Sequence, residues 1–153
     1  MKSLENRIPP PIILIITLAL IYGVSRVDDL IILSAAMRLY VSIGLLLLGL
    51  GIMIAGVTSF RKVATTINPL KPETASSLVI GGVFHYTRNP MYLGMLVLAF
   101  AAVIKSTSVL SLIVVLGFYL FLTRFQIIPE ERAMLKLFGD EFVQYQRRVR
   151  RWI

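Results

Sequence analysis

The sequence contains no cysteine, one histidine and few charged residues, which make up 16% of its 153 positions. Without cysteine, the chain forms no disulfides and no thiolate-ligated zinc or iron–sulfur sites. The single histidine, His85, has no second histidine, cysteine or nearby carboxylate at ligand spacing, so we predict no metal site. Any cofactor must be bound by other groups.

Apolar residues, in contrast, are abundant. They account for 57% of the chain, and the mean hydropathy is +0.81. A small soluble domain has too little interior to bury several helices of this composition. The net charge of +8 is compatible with nucleic acid binding, but it is also typical of basic loops that face anionic lipid. We therefore predict an all-α integral membrane protein, a single domain over residues 1–153, whose partners include anionic lipid headgroups and no nucleic acid.

Four apolar stretches are predicted to cross the membrane: residues 8–27, 39–60, 88–104 and 106–124. A helix of about 20 residues spans the hydrocarbon core, so the third stretch is short for a full crossing. The first stretch opens with three prolines, which suit a first helical turn, and it lacks the cleavage site of a signal peptide. In the second stretch, Gly51 and Ala55 have the spacing that lets another helix approach closely.

The basic residues are distributed unequally between the predicted loops. Two precede the first span, four lie from Arg61 to Arg88 and seven lie from Arg124 onward, whereas the opposite face receives three: Arg26, Arg38 and Lys105. Because cytoplasmic loops are enriched in lysine and arginine, we predict cytoplasmic termini and a cytoplasmic middle loop. Lys2 and Lys71 are counted on that side, and Asp28 and Asp29 lie on the other. The predicted location is the inner (cytoplasmic) membrane.

The segment at the entrance to the third span has an unusual composition. Residues 81–94 combine glycines, aromatic residues, His85, Arg88 and an Asn89-Pro90 step. Glycine and a residue before proline favour irregular backbone whose amide and carbonyl groups are free to bind, and such backbone is tolerated at membrane depth mainly around a cavity. Two interpretations stay open at this point: a ligand-binding turn, or an interfacial turn whose arginine reaches lipid phosphates.

After the fourth span, Pro129 is predicted to start a new amphipathic helix over residues 129–150. Its apolar stripe consists of Met134, Phe138, Phe142, Tyr145, Val149 and Trp152. We expect Gly139 to interrupt the helix, and the basic group Arg147, Arg148, Arg150 and Arg151 to favour a position along the cytoplasmic interface. Glu130 and Glu131 occupy its first turn, where the helix dipole favours acids, and capping alone would explain one of them.

Gly82 to Gly94, then Glu130-Glu131, Phe138-Gly139 and Tyr145, resemble in order and spacing the isoprenylcysteine carboxyl methyltransferase family and its bacterial relatives, which are related to membrane phospholipid methyltransferases. The resemblance covers residues 65–149. It implies a helical membrane enzyme that transfers a methyl group from S-adenosylmethionine to a lipophilic or lipidated acceptor arriving from the bilayer. Such a reaction needs mainly alignment of its two substrates, so no catalytic residue is assigned.

The resemblance also assigns residues to the site. The implied cofactor-binding residues are Val79, Phe84, Asn89, Pro90, Met91, Tyr92 and Glu130, with Glu130 paired to the cofactor's amino group. Exposed turn amides, Arg88 or both are candidates for the cofactor carboxylate, and His85 is a candidate for a hydrogen bond in the pocket. Gln126 and Glu131 are the candidate substrate-binding residues.

Departures from the family pattern leave the acceptor open. Eukaryotic members carry histidine at the position of Asn89, tyrosine at that of Phe84, and an arginine for the substrate carboxylate at that of Gln126. The missing cation argues against a carboxylate acceptor and leaves an amine, a hydroxyl or a thiol. A phospholipid N-methyltransferase is the adjacent alternative and needs a base, for which Glu131 or His85 are candidates. A non-enzymatic helical membrane subunit is the third possibility and predicts no cofactor binding.

Overall fold

The structure is a computed structural model that describes residues 5–27, 33–63, 70 and 72–153. These residues form five α-helices and no β-strand: α1 (Pro10–Val24), α2 (Ala35–Lys62), α3 (Pro90–Ser106), α4 (Ser111–Leu122) and α5 (Ile128–Arg148). The predicted all-α fold is confirmed. Several residues used in the topology prediction lie outside the described ranges: Lys2, Asp28, Asp29 and Lys71.

Two helices are long and apolar enough to cross a membrane: α2, and the continuous helix Ser111–Arg148 that contains α4 and α5. The helices α1 and α3 are apolar but shorter, so the count of four spans stays a prediction. The fourth segment begins at Ser111 instead of residue 106. The reason lies at Thr107, whose left-handed backbone (φ +58°) ends α3 and starts a short connection.

The helix α5 begins at Ile128, with Pro129 in its first turn as predicted, and it is joined to α4 without a break by a π-helical turn, Thr123–Ile127. Proline has no amide hydrogen, and its ring clashes with the carbonyl four residues earlier in an α-helix. In the π-turn the Ile128 amide instead bonds to the carbonyl of Thr123, five residues back, so one extra residue is accommodated and the chain passes the proline without ending the helix. The predicted interruption at Gly139 is confirmed, since its backbone (φ +46°) is non-helical.

The helices α2 and α3 approach closely at glycines, although not at the predicted pair. A Cβ atom at Gly94 would lie 2.4 Å from the Met53 side chain and 2.6 Å from the carbonyl oxygen of Gly49. Gly56 similarly leaves room for Pro90, whose ring would lie 3.2 Å from an added Cβ. Gly51 has open space around it, so the expectation of close packing there was wrong within the described chain.

Buried apolar side chains form two clusters. The first joins α1, α3 and α4, and continues into the π-turn at Ile127. The second lies between the segment before α3 and the last turns of α5, and consists of Val79, Phe84, Phe142, Tyr145 and Val149. The apolar stripe of α5 therefore packs largely on the protein itself. This packing brings the 81–94 segment against α5.

Candidate functional site

The segment before α3 folds as a compact 3-10 turn, Gly82–His85, followed by an irregular stretch to Asn89. Gly82 has a left-handed backbone (φ +63°) and lies against Ser59 of α2, whose hydroxyl would be 2.9 Å from a Cβ at this position. Phe84 points inward and contacts Phe60 edge to face, with ring centroids 5.4 Å apart. The Tyr145 hydroxyl donates a 2.7 Å hydrogen bond to the Phe84 carbonyl and so ties the turn to α5.

Arg88 and Asn89 bind the end of α5 and the residues that follow it. The Arg88 guanidinium donates to the carbonyls of Gln146 (3.2 Å) and Val149 (3.0 Å), and its backbone amide donates to the Arg150 carbonyl (3.1 Å). The Asn89 side-chain amide donates to the Arg151 carbonyl at 2.9 Å. These bonds satisfy carbonyls that a helix C-terminus leaves without partners. They hold residues 149–151, here called the C-terminal strap, across the start of α3.

Glu131 is the ionic centre of the same region. One carboxylate oxygen lies 2.6 Å from Arg88, and Arg151 binds both oxygens at 3.0 and 2.6 Å in a bidentate pair. Burial alone would raise the pKa of Glu131, but the hydrogen bonds from Arg151 and Arg88 outweigh burial and hold the pKa below its ordinary value. Glu131 is therefore ionised at neutral pH and fixes both arginines.

Glu130, one residue earlier, has a different environment. It accepts a hydrogen bond from the Tyr92 hydroxyl and lacks a cationic partner among the described residues. Burial raises the pKa of Glu130 to about 8, an effect that the Tyr92 bond reduces and the adjacent negative Glu131 increases. The two neighbouring acids therefore differ in role. The charge of Glu131 is neutralised by two arginines, whereas Glu130 can still pair with a cation from outside the protein.

A cleft of about 770 Å³, including its open mouth, lies between these elements. Its wall combines Glu130 and Glu131 with aromatic rings and methionines. The lining residues are Phe60, Pro72, Ala75, Ser77, Leu78, Val79, Phe84, Arg88, Asn89, Met91, Tyr92, Glu130, Glu131, Met134, Phe142 and Tyr145.

The chemistry of this wall suits an organic cation of moderate size. A carboxyl without a cationic partner can pair with an ammonium, and aromatic faces attract a positive centre. Arg88, in contrast, already binds Glu131 and two carbonyls, so it does not offer a free charge. The described residues contain no cluster of three possible metal ligands.

The structure brings together most of the residues predicted from sequence and separates three of them. Eight line the cleft: Val79, Phe84, Arg88, Asn89, Met91, Tyr92, Glu130 and Glu131. His85 does not, because its side chain is exposed on the outer side of the 3-10 turn. Pro90 is buried against Gly56 in the α2–α3 contact.

Gln126, a candidate substrate-binding residue, is also absent from the cleft wall. It is completely buried in the π-turn, and its side-chain amide donates a 2.8 Å hydrogen bond to the Ile8 carbonyl at the start of α1. The interpretation that its neutral amide faces the acceptor is therefore not supported by its position. Its described contact is with the N-terminal segment.

Several lining residues were not predicted as site residues. Met134, Phe142 and Tyr145 belong to the apolar stripe predicted on α5, a helix expected along the cytoplasmic interface, and none of them was assigned to the site. Phe60 ends the long apolar run of α2 and carries no signal of its own. Arg151 was grouped with the lipid-facing cations, and only the fold reveals its bidentate bond to Glu131.

Comparison with known proteins gives a consistent picture. The family model described as phospholipid methyltransferase matches residues 37–141. Methanethiol S-methyltransferase 1 of Bradyrhizobium diazoefficiens is 38% identical over 66 residues, which are 43% of this chain and 22% of that protein. An uncharacterized protein of Haemophilus influenzae is 36% identical over 63 residues, 41% of this chain and all of that protein. No solved structure matches the chain.

Proposed function

The chain belongs to the phospholipid methyltransferase family, whose members act at membranes, and from this premise we propose that it transfers a methyl group from S-adenosylmethionine to a lipophilic acceptor. The observation that carries the proposal is the cleft with a carboxyl that lacks a cationic partner, Glu130, set among aromatic side chains. When bound, S-adenosylmethionine supplies a methyl group on a positively charged sulfur.

The described residues fit this donor in charge and shape. Glu130, oriented by Tyr92, would hold its ammonium, and the rings of Phe84 and Phe142 would lie near its cationic part. Exposed backbone groups of the 3-10 turn are the candidates for its carboxylate, because Arg88 is engaged by Glu131. The remaining task of the protein is to align the acceptor with the methyl group and to exclude water.

The charge of the cleft supports an acceptor other than a carboxylate. Its single lining cation, Arg88, is paired with Glu131, so a desolvated anionic acceptor would find no free positive charge among the described lining residues. An amine, a hydroxyl and a thiol remain admissible. The similarity to a methanethiol S-methyltransferase supports the inclusion of thiols in any substrate screen.

Phospholipid N-methylation is the second candidate, and the environment of Glu130 is the observation that favours it. An ammonium acceptor must lose a proton before it attacks. Glu131 is held ionised by two arginines and His85 is exposed outside the cleft, so neither serves as the base proposed from sequence. Glu130 would take the proton instead, and its substitution would then lower turnover without weakening cofactor binding.

We further propose cytoplasmic termini in an inner membrane, with the cleft open to cytoplasmic S-adenosylmethionine. The excess of basic residues on one side supports this orientation. The acceptor would reach the cleft laterally from the bilayer, and the cations of α5 would contact anionic headgroups.

The test is a binding and transfer experiment with purified full-length protein in detergent. Calorimetry with S-adenosylmethionine measures Kd for the wild type, Glu130→Gln and the control Glu141→Gln, an exposed glutamate on the same helix. Incubation with methyl-labelled donor and either host lipid extract or small thiols identifies the product. We expect binding by the wild type and by the control, and a labelled acceptor in one of the two mixtures. Absence of donor binding by the wild type would favour a non-enzymatic membrane subunit.

A further inference from the structure

The N-terminal residues Glu5–Ile8, here called the N-terminal hook, contact the helix that carries Glu130 at several points. Glu5 binds Arg124 at 3.2 Å through one carboxylate oxygen and Arg132 through the other. Partial burial would raise the pKa of Glu5, but hydrogen bonds from the two arginines outweigh this effect and hold it below its ordinary value. In the sequence, the two arginines lie on either side of Glu130 and Glu131. The Glu5 carboxylate therefore contacts the helix both before and after these two acids.

A second contact uses the backbone that proline leaves without a partner. In an α-helix the Phe125 carbonyl would accept from the amide of residue 129, but Pro129 has no amide hydrogen. The Asn6 amide donates to this carbonyl instead, at 3.0 Å. Asn6 has a left-handed backbone (φ +52°), a conformation that asparagine tolerates better than most residues. The hook thus replaces a missing helical hydrogen bond.

Gln126 provides the third contact, its hydrogen bond to the Ile8 carbonyl. Two hydrogen bonds therefore join the hook to the π-turn: Asn6 donates to the Phe125 carbonyl, and Gln126 donates to the Ile8 carbonyl. Pro129 excludes regular α-helical hydrogen bonding at this point, so contacts from outside the helix help to define the geometry of the turn. A shift of one residue in the turn would rotate α5 relative to α4 by about 100°. Such a rotation would carry Glu130 away from Tyr92 and the cleft.

We infer that the N-terminal hook fixes the π-turn and thereby positions Glu130 in the cleft, with Gln126 as the central positioning residue. This inference rests on the proposed function. The hook lies outside residues 37–141 that match the family, and α1 has its own apolar contacts with α3 and α4 through Ile13, Leu14 and Ile21. A polar hook is therefore not needed to hold α1 in place, whereas the Phe125 carbonyl, to which Pro129 cannot donate, receives its hydrogen bond from Asn6 of the hook.

The experiment uses full-length protein in detergent and three variants. Gln126→Leu removes the donor to Ile8, and Glu5→Gln removes the charge between the arginines. Gln144→Leu is the matched control, because it makes the same glutamine-to-leucine change at an exposed position of α5. The readouts are the Kd for S-adenosylmethionine at pH 7.5, the change of Kd between pH 6 and 7.5, and the melting temperature Tm.

For Gln126→Leu we expect about tenfold weaker binding, the loss typical of one buried hydrogen bond, and a flattened pH dependence because Glu130 is no longer held against Tyr92. Glu5→Gln should weaken binding by about threefold, since its arginine partners are half exposed. Gln144→Leu should match the wild type. Glu5→Gln also serves if Gln126→Leu does not fold, because its contacts lie at the surface.

A purely structural hook would lower Tm while Kd and its pH dependence stay at wild-type values, and this result would overturn the inference. Equal changes in Gln144→Leu would do the same. A wild type that does not bind the donor at all would instead refute the proposed function, and the positioning role with it. The two failures are therefore distinguished by the wild-type measurement.

Discussion

The environment of Glu130 predicts that cofactor binding depends on pH and releases a proton. In the free protein its carboxyl faces Tyr92 and the negative Glu131, whose own charge is compensated by Arg88 and Arg151, and its pKa is about 8. At pH 7 roughly one molecule in eleven is then ionised, and at pH 6 roughly one in a hundred. A bound ammonium favours the ionised form and lowers this pKa. Binding should therefore strengthen as pH rises toward 8.

The expected magnitude follows from these fractions. Between pH 6 and 7.5 the ionised fraction rises about 20-fold, so Kd for S-adenosylmethionine should fall by a similar factor. The donor's own α-amino group titrates at about 7.7–8.0, so at pH 7.5 roughly two thirds of it is still protonated and its titration changes Kd by less than about twofold. Calorimetry at pH 7 in two buffers of different ionisation enthalpy should report the release of about 0.9 proton per bound molecule.

Glu130→Gln is the decisive variant for this reasoning. It should bind about tenfold to a hundredfold more weakly at pH 7.5, the range expected for loss of a charge-assisted contact, and show a flat pH profile. Glu141→Gln should retain the wild-type profile. A wild-type Kd that does not change between pH 6 and 7.5, without proton release, would refute the assignment of Glu130 to the ammonium. An unchanged Kd with lost turnover in Glu130→Gln would move it to the role of a base.

Three further predictions concern stability and orientation. Glu131→Gln should lower the unfolding free energy by about 2 kcal/mol, because it breaks the partly buried pairs with Arg88 and Arg151. Thermal unfolding in detergent measures the loss, and an unchanged Tm would contradict the role given to these pairs. Gly94→Leu should destabilise by about 1–3 kcal/mol or more, since even its Cβ would overlap Met53 and the Gly49 carbonyl, while Gly51→Leu, in open space, should be nearly neutral in the same assay. Cysteines introduced at Ser3 and Ser76 should resist labelling by an impermeant reagent added outside intact cells, and ready labelling of both would reverse the predicted topology.

The sequence was informative wherever one physical signal decided the outcome. Apolar length predicted α2, the glycine at 139 predicted the kink, and the family resemblance around Asn89 and Glu130 predicted eight of the sixteen residues that line the cleft. Each of these depends on local chemistry or on a family pattern. The resemblance to membrane methyltransferases is confirmed by the family match.

Two residues predicted for the site lie outside the cleft for reasons that only the three-dimensional fold reveals. Gln126 and Glu130 are four residues apart and would share a face of an uninterrupted α-helix, but the π-turn between them adds a residue and separates the two side chains. An arginine at position 126 would likewise be buried in the π-turn instead of reaching an acceptor. His85 follows Phe84 in a tight 3-10 turn. Because the Phe84 side chain is buried, the next side chain, His85, points away from the cleft.

The hydrogen bonds of the C-terminal strap also determine when the site can exist during synthesis. Arg88 and Asn89 bind carbonyls that lie 58 to 62 positions later in the chain. A nascent chain that has inserted α2 and α3 therefore has one wall of the cleft without the other, until residues 146–151 leave the ribosome. The helices before this point can pack through their glycines, but donor binding should appear only in the last step of assembly.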